Sequence, residues 1–101
     1  MTEPDLETIW QSGCRGDDLN TAEKKQFAAM ARSRFHTFLM GFAHAERSED
    51  EDAANGLVRG MAVEIRENPG LRSAWTRMSA VKTEAGQRVN LQIERLESPL
   101  H

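Results

Sequence analysis

The stretch that decides the fold is NPGLRSAW, residues 68–75. Proline at a first helical position costs nothing, because its missing N–H would have no partner inside the helix. The Asn68 side chain before it can accept a hydrogen bond from a free N–H of the first turn. The stretch therefore predicts that one helix ends near Asn68, that the next begins at Pro69, and that Trp75 packs into the surface the two helices share.

Amphipathic patterns continue on both sides of this turn. Apolar residues recur every third or fourth position and predict a third helix over about 50–67 and a fourth over about 69–81. Thr83 offers a cap for a fifth helix over about 84–96. Alternating apolar residues leave a strand over 89–93 as the alternative. We favour the helix because no other stretch offers a strand to pair with, and a lone strand leaves its backbone groups unbonded.

The longest helix is predicted upstream of these. Asn20 and Glu23 have the spacing of a capping box, and phenylalanines then recur at helical intervals to about Arg47. Gly41 lies inside this run and marks either a close helix crossing or a break. Gly56 and Gly60, four residues apart on the third helix, either allow another helix to approach closely or are simply tolerated.

The N-terminal segment is shorter. Leu6, Ile9 and Trp10 form a brief helical stripe, Pro4 can sit in its first turn, and Gly13 is a natural stop. A loop over 13–19, which includes Cys14, should follow. A helix this short is not stable by itself in water, so it must pack against the rest of the domain.

We therefore predict an all-α fold, a small bundle of four to five helices with a long central second helix, in a single domain over residues 1–101. The predicted core residues are Leu6, Ile9, Trp10, Phe27, Phe35, Phe38, Leu39, Phe42, Leu57, Met61, Ile65, Leu71, Trp75 and Met78.

Composition narrows the class of protein. The net charge of −3 and the pI near 5.6 argue against nucleic acid as a partner, since phosphate binding needs a concentrated cationic face. Cys14 is the one cysteine, so no disulfide can form within the chain, which fits a reducing, cytoplasmic compartment. No apolar run approaches the roughly 20 residues of a membrane span, so we expect none in this chain.

Sequence spacing offers no catalytic, cofactor-binding or metal-binding residues. His36 and His44 are eight residues apart on one predicted helix, about 12 Å along its axis, too far for one metal ion. Cys14 follows a glycine beside Arg15 with no histidine near it in sequence, which favours an ordinary thiol over a nucleophile. We expect a protein that is not an enzyme and that holds no cofactor.

The turn at residue 68 also allows a helix-turn-helix interpretation. Its second helix would present a polar face to a major groove. The acidic charge of the chain opposes this, so DNA binding is the weakest alternative. The residues on that face are Arg72, Ser73, Thr76, Arg77 and Lys82.

Four stretches together resemble a known family: residues 5–13, 19–27, 35–42 and 68–75. They read as acidic-Leu-x-x-Ile-Trp-x-x-Gly, then Leu-cap-x-x-Glu-x-x-x-Phe, a Phe-rich helix and Asn-Pro-Gly-Leu-Arg-x-x-Trp. They are similar to a widespread family of uncharacterised bacterial proteins. Its members commonly carry one N-terminal membrane-spanning helix before a small all-helical cytosolic domain.

The resemblance implies an α-helical fold and a place near a membrane, and it brings no activity, cofactor or catalytic residue. This chain departs from the family in two ways. The membrane-spanning helix is missing, and residues 53–57 lack the aromatic residues with which the family's third helix usually opens. A groove that those aromatics shape in the family should therefore differ in this chain.

The functional expectation is a non-enzymatic helical interaction or regulatory module. We expect a protein partner, with a second copy of the chain as one candidate. The alternative is a helical bundle that binds a small molecule or lipid in a cavity lined by Phe and Met.

Overall fold

Five α-helices make up the computed structural model, which describes residues 5–78 and 82–98. They are α1 (Leu6–Arg15), α2 (Thr21–Arg47), α3 (Glu51–Glu67), α4 (Pro69–Thr76) and α5 (Glu84–Glu97). The described residues contain no strand, so the predicted all-α class is confirmed, and residues 89–93 are helical.

Side-chain caps start most of these helices, and those at Asn20 and Thr83 are the ones that the sequence predicts. Asn20 accepts from the N–H of Glu23, whose carboxylate accepts from the N–H of Asn20, and this confirms the capping box. The side chains of Asp50 and Thr83 accept from the N–H groups of Ala53 and Gly86 and so cap α3 and α5, each with a single hydrogen bond. Each cap satisfies an N–H that has no partner inside its helix.

The predicted cap at Asn68 is wrong. Its side chain makes no hydrogen bond to the first turn of α4. Instead its Nδ2 donates to the carbonyl of Glu64 at 2.7 Å, so Asn68 closes the end of α3. Pro69 opens α4 and has no N–H, so this helix start has one fewer donor that lacks a partner inside the helix.

The first helix is longer than predicted, and its predicted stop at Gly13 is wrong. The chain leaves α1 at Gly16, whose φ of 83° lies in the left-handed region that glycine adopts without cost. Gly13 stays within the helix and is buried. Cys14 is therefore helical and buried, and the loop predicted for it is wrong. The predicted place of Pro4 lies outside the described residues.

The fourth helix ends at Thr76, earlier than predicted. Its last turn tightens, since the N–H groups of Arg77 and Met78 donate to the carbonyls of Ala74 and Trp75, each three residues back. The rest of the predicted helix, residues 79–81, lies outside the described residues.

Helix α2 runs unbroken through Gly41 and is the spine of the molecule. Gly41 lies opposite Leu57 of α3, whose Cδ1 is 3.4 Å from the position of a Cβ at that glycine. Arg34 pairs with Glu64 further along, so α2 and α3 run antiparallel. The glycine marks the close crossing, and the predicted break is absent.

The core fills the space between α2, α3, α4 and α5. The predictions of Leu6 and Leu57 as core are wrong, because these side chains are 57% and 36% exposed. Trp10, Leu39 and Met78 are only half-buried. The other predicted core residues are buried: Ile9, Phe27, Phe35, Phe38, Phe42, Met61, Ile65, Leu71 and Trp75. The prediction omitted Val89 and Ile93 of α5, which are buried.

The molecule measures 51 × 34 × 20 Å. Part of α2 and α3 faces solvent.

Candidate functional site

An open groove lies between the antiparallel helices α2 and α3, on the face not covered by α4 and α5. Its volume is about 670 Å³. We call it the α2–α3 groove, and its lining residues are Trp10, Met30, Ser33, Arg34, Thr37, Phe38, Gly56, Leu57, Gly60, Met61 and Glu64.

The wall from α3 is unusually bare. Gly56 and Gly60 lie four residues apart on one helical face, and apart from the adjoining residues and backbone of α3 itself, no atom of the described residues lies within 4 Å of a Cβ built at either position. Leu57 beside them is 36% exposed, although the sequence predicts it as core. The α3 backbone is therefore accessible to a partner over about one helical turn, from Gly56 to Gly60.

Apolar side chains form most of the remaining surface. Met30 and Phe38 come from α2, Met61 comes from α3, and Trp10 of α1 closes one end. The ring of Trp10 packs on Phe27 with a centroid distance of 5.3 Å, which holds the short helix α1 against α2. The groove is thus a hydrophobic surface built by three separate helices.

A salt bridge between Arg34 and Glu64 spans the groove beside Trp10. Arg34 Nη2 donates to Glu64 Oε2 at 2.9 Å, and the guanidinium carbon lies 5.9 Å from the centroid of the Trp10 ring. The hydrogen bond to Glu64 raises the pKa of Arg34 above its usual value. The two charges neutralise each other, so this end of the groove is polar without net charge.

Cys14 lies behind this salt bridge. Its side chain is 6% exposed, and this burial raises the pKa of the thiol. The nearby Glu64 carboxylate raises the pKa further, whereas the charge of Arg34 lowers it. The thiol is therefore protonated at neutral pH, whereas nucleophilic chemistry needs the thiolate.

We expect Cys14 to react slowly with a thiol reagent in the folded protein. At mildly alkaline pH the rate should be about a hundredfold lower than in urea, because reaction requires local opening of α1. Absorbance of the released chromophore measures both rates. Equal rates would mean that α1 does not dock on α2 as described.

The other candidate residues considered in the sequence analysis do not come together in one site. His36 and His44 are both exposed on α2. Within residues 5–78 and 82–98, no group of three His, Cys, Asp or Glu residues could hold a metal ion. Trp75 lies in the core, whereas Trp10 lines the groove.

The face expected for a helix-turn-helix is short. Helix α4 has eight residues, and Arg72 on it forms a salt bridge with Glu97 of α5. This salt bridge lies at the surface, because the side chains of Arg72 and Glu97 are 46% and 40% exposed. Arg72 is thus engaged within the molecule.

Sequence reasoning missed the α2–α3 groove, although one signal pointed to it. Gly56 and Gly60 interrupt the apolar stripe of α3, a pattern that allows close helix approach. The sequence could not show which helix faces them, and α2 lies beside them at a distance that leaves their Cβ positions open.

The chain matches no protein-family model, no curated protein and no solved structure. None of the helices in the described ranges combines the length and the apolar character needed to cross a membrane.

Proposed function

We propose that this protein is a non-enzymatic helical interaction module that binds a helix of another polypeptide in the α2–α3 groove. The observation that supports this most directly is the open, mainly apolar groove beside two glycines that face empty space. An exposed apolar surface of this kind is typical of binding sites. The mixture of a hydrophobic floor and one neutralised salt bridge suits an amphipathic helix.

The dimensions of the groove favour a short helix. Gly56 and Glu64 mark its extent along α3, which is about 12 Å of helix axis. A partner helix could place apolar side chains at positions i, i+3, i+4 and i+7 over that length. The bare glycine surface would let its backbone approach α3 more closely than a side chain there would allow.

The partner helix comes either from a different protein or from a second copy of this chain. Met40, which is 60% exposed, and Leu57 provide apolar surface on α2 and α3 that a dimer would cover. Sedimentation equilibrium over a wide concentration range distinguishes the two sources. A strict monomer at high concentration excludes self-association and leaves the different protein.

We expect Gly60→Leu to abolish partner binding without unfolding the protein. The new side chain would occupy open groove space, and leucine favours helix over glycine by about 0.5–1 kcal/mol. Ala22→Leu on the exposed first turn of α2 adds a leucine outside the groove and is the matched control.

Two measurements test this prediction. Sedimentation measures any dimer, and quantitative co-purification from the native host compares proteins bound by the wild type and the two variants. A partner that the wild type and Ala22→Leu retain but Gly60→Leu loses supports the groove. A partner retained equally by all three proteins, or no partner and no dimer, contradicts the proposal.

A second candidate function is binding of a small apolar molecule. The groove volume of about 670 Å³ falls within the range of roughly 300–1,000 Å³ that such ligands occupy. Native mass spectrometry of the gently purified protein would then show a bound mass that Gly60→Leu lacks. An apolar ligand would also protect Trp10 from a fluorescence quencher.

The cellular setting that we propose is the cytoplasm of a bacterium. The lone, buried Cys14 suits a reducing compartment. The bacterial origin and the proposed membership in the helical family rest on the sequence resemblance over residues 5–96. A site of action close to a membrane would follow from the same resemblance.

A further inference from the structure

A second groove lies on the other side of α3, between α3 and α5. It has a volume of about 290 Å³ and shares no lining residue with the α2–α3 groove. We call it the arginine groove. Its lining residues are Asn55, Val58, Arg59, Arg88, Leu91, Gln92 and Arg95.

The arginine groove concentrates positive charge in a chain of net charge −3. Three arginines line it, Arg59, Arg88 and Arg95, and its lining in the described part of the chain includes no acidic residue. None of the three takes part in a salt bridge among the described residues. Like charges placed together repel, so an anion bound between them would be stabilised.

One of the three arginines is held in place. Arg88 is half-buried, its guanidinium carbon lies 5.2 Å from the centroid of the Phe42 ring, and its Nη2 donates to Asn55 Oδ1. A guanidinium that is already oriented loses less freedom when it binds a carboxylate. Arg59 and Arg95 are exposed and can close on a ligand from the two helices.

An exposed leucine lies among these charges. Leu91 is 48% exposed. It lies three residues after Arg88 and four residues before Arg95, so the three side chains share one face of α5. A surface with an apolar centre and a cationic border complements a ligand with an apolar side chain between carboxylates. A peptide segment has this chemistry, whereas a free phosphate lacks the apolar part.

The neighbouring surface restricts the ligand further. Arg88 also borders an adjoining depression whose lining includes four carboxylates, those of Glu46, Glu49, Asp50 and Glu51. These carboxylates would repel a long polyanion such as a nucleic acid backbone that continues past Arg88. A short segment that lies toward Arg59 and Arg95 avoids them.

From this charge complementarity we propose that the arginine groove binds a short acidic segment of a partner protein, with an apolar side chain seated on Leu91. The carboxylates of that segment accept hydrogen bonds from the guanidinium groups, in the paired geometry that arginine and carboxylate favour. This surface is separate from the α2–α3 groove and does not depend on the function proposed for it.

The test uses the full chain and a fluorescein-labelled peptide of about twelve residues, in which glutamates flank leucines at helical spacing. Anisotropy at low salt measures its dissociation constant. The double variant Arg59→Gln/Arg95→Gln should weaken binding about tenfold, because exposed charge pairs are individually weak and two are lost. The matched control, Arg32→Gln/Arg47→Gln, removes the same charge from exposed positions of α2 and should bind as the wild type does.

Two further comparisons separate this proposal from general charge attraction. The wild type should bind the peptide more tightly than a version with serine in place of leucine, and Leu91→Ser should remove that preference. Binding that is undetectable at low salt, or equally weakened in both double variants, overturns the proposal. A single-stranded oligonucleotide that binds more tightly than the peptide also overturns it.

Discussion

Trp75→Ala is expected to lower the free energy of unfolding by about 3–5 kcal/mol. Trp75 is 1% exposed and has the largest of the fully buried side chains. Its ring meets Phe35 edge-on, with centroids 5.1 Å apart, and its Nε1 donates to Asn90 Oδ1 at 2.8 Å. Truncation removes these contacts, which join α4 to both α2 and α5, and leaves a cavity that rigid helices fill only in part.

Urea unfolding followed by circular dichroism measures this loss. Trp75→Phe is the matched control, because it retains most of the buried ring and loses the hydrogen bond to Asn90. We expect this variant to lose less stability than Trp75→Ala. A loss below about 1 kcal/mol for Trp75→Ala would show that this face of α4 is not the core.

Gly70→Ala is expected to lower the free energy of unfolding by about 3 kcal/mol, at the upper end of what overpacking costs. A Cβ at this position would lie 1.6 Å from the carbonyl oxygen of Gly13 and 2.7 Å from its carbonyl carbon. Both are backbone atoms, so no side-chain rotation relieves the overlap. Helix α1 must move away from α4, and it would lose packing on α2 as it does so.

Two readouts distinguish this displacement from a general loss of stability. Urea unfolding gives the free energy, and the thiol of Cys14 should react faster in the folded variant because α1 covers it less well. Gly56→Ala is the control, since its Cβ enters open space and should add up to about 1 kcal/mol of stability. A Gly70→Ala protein as stable as the wild type would mean that α1 and α4 lie further apart than described.

The helices could be predicted from the sequence because their signals are local. The capping box at Asn20 and Glu23 and the start at Pro69 each depend on residues within one turn. The apolar stripes of α3 and α5 likewise repeat every three to four residues, whatever lies opposite them. These signals determine where helices form and which side of each is apolar.

Errors arose where a residue's environment depends on another helix. Gly13 has the chemistry of a helix stop, yet it lies inside α1, where the ring of Phe27 occupies the space a side chain would fill and so requires a glycine. Leu57 continues the apolar stripe of α3, yet it faces the open groove. The Asn68 amide bonds backward to α3 because the carbonyl of Glu64 lies within reach.

Neither groove could be predicted as a site, because each is assembled from residues far apart in the chain. Arg34 and Glu64 are 30 residues apart, and Asn55 and Arg88 are 33 apart. Every one of these residues is unremarkable in its own stretch of sequence. Their spacing in the molecule follows from how the helices cross.

The amino-acid sequence by itself determined five helices, most of their boundaries and the apolar faces that bury Phe35 and Trp75. Only the tertiary structure decided that α2 and α3 leave a groove beside Gly56 and Gly60, and that three arginines meet across α3 and α5. The physical reason is the sequence distance over which each interaction acts. Helix formation depends on neighbours within one turn. A surface groove depends on the packing distance and crossing direction of helices that are far apart in the sequence.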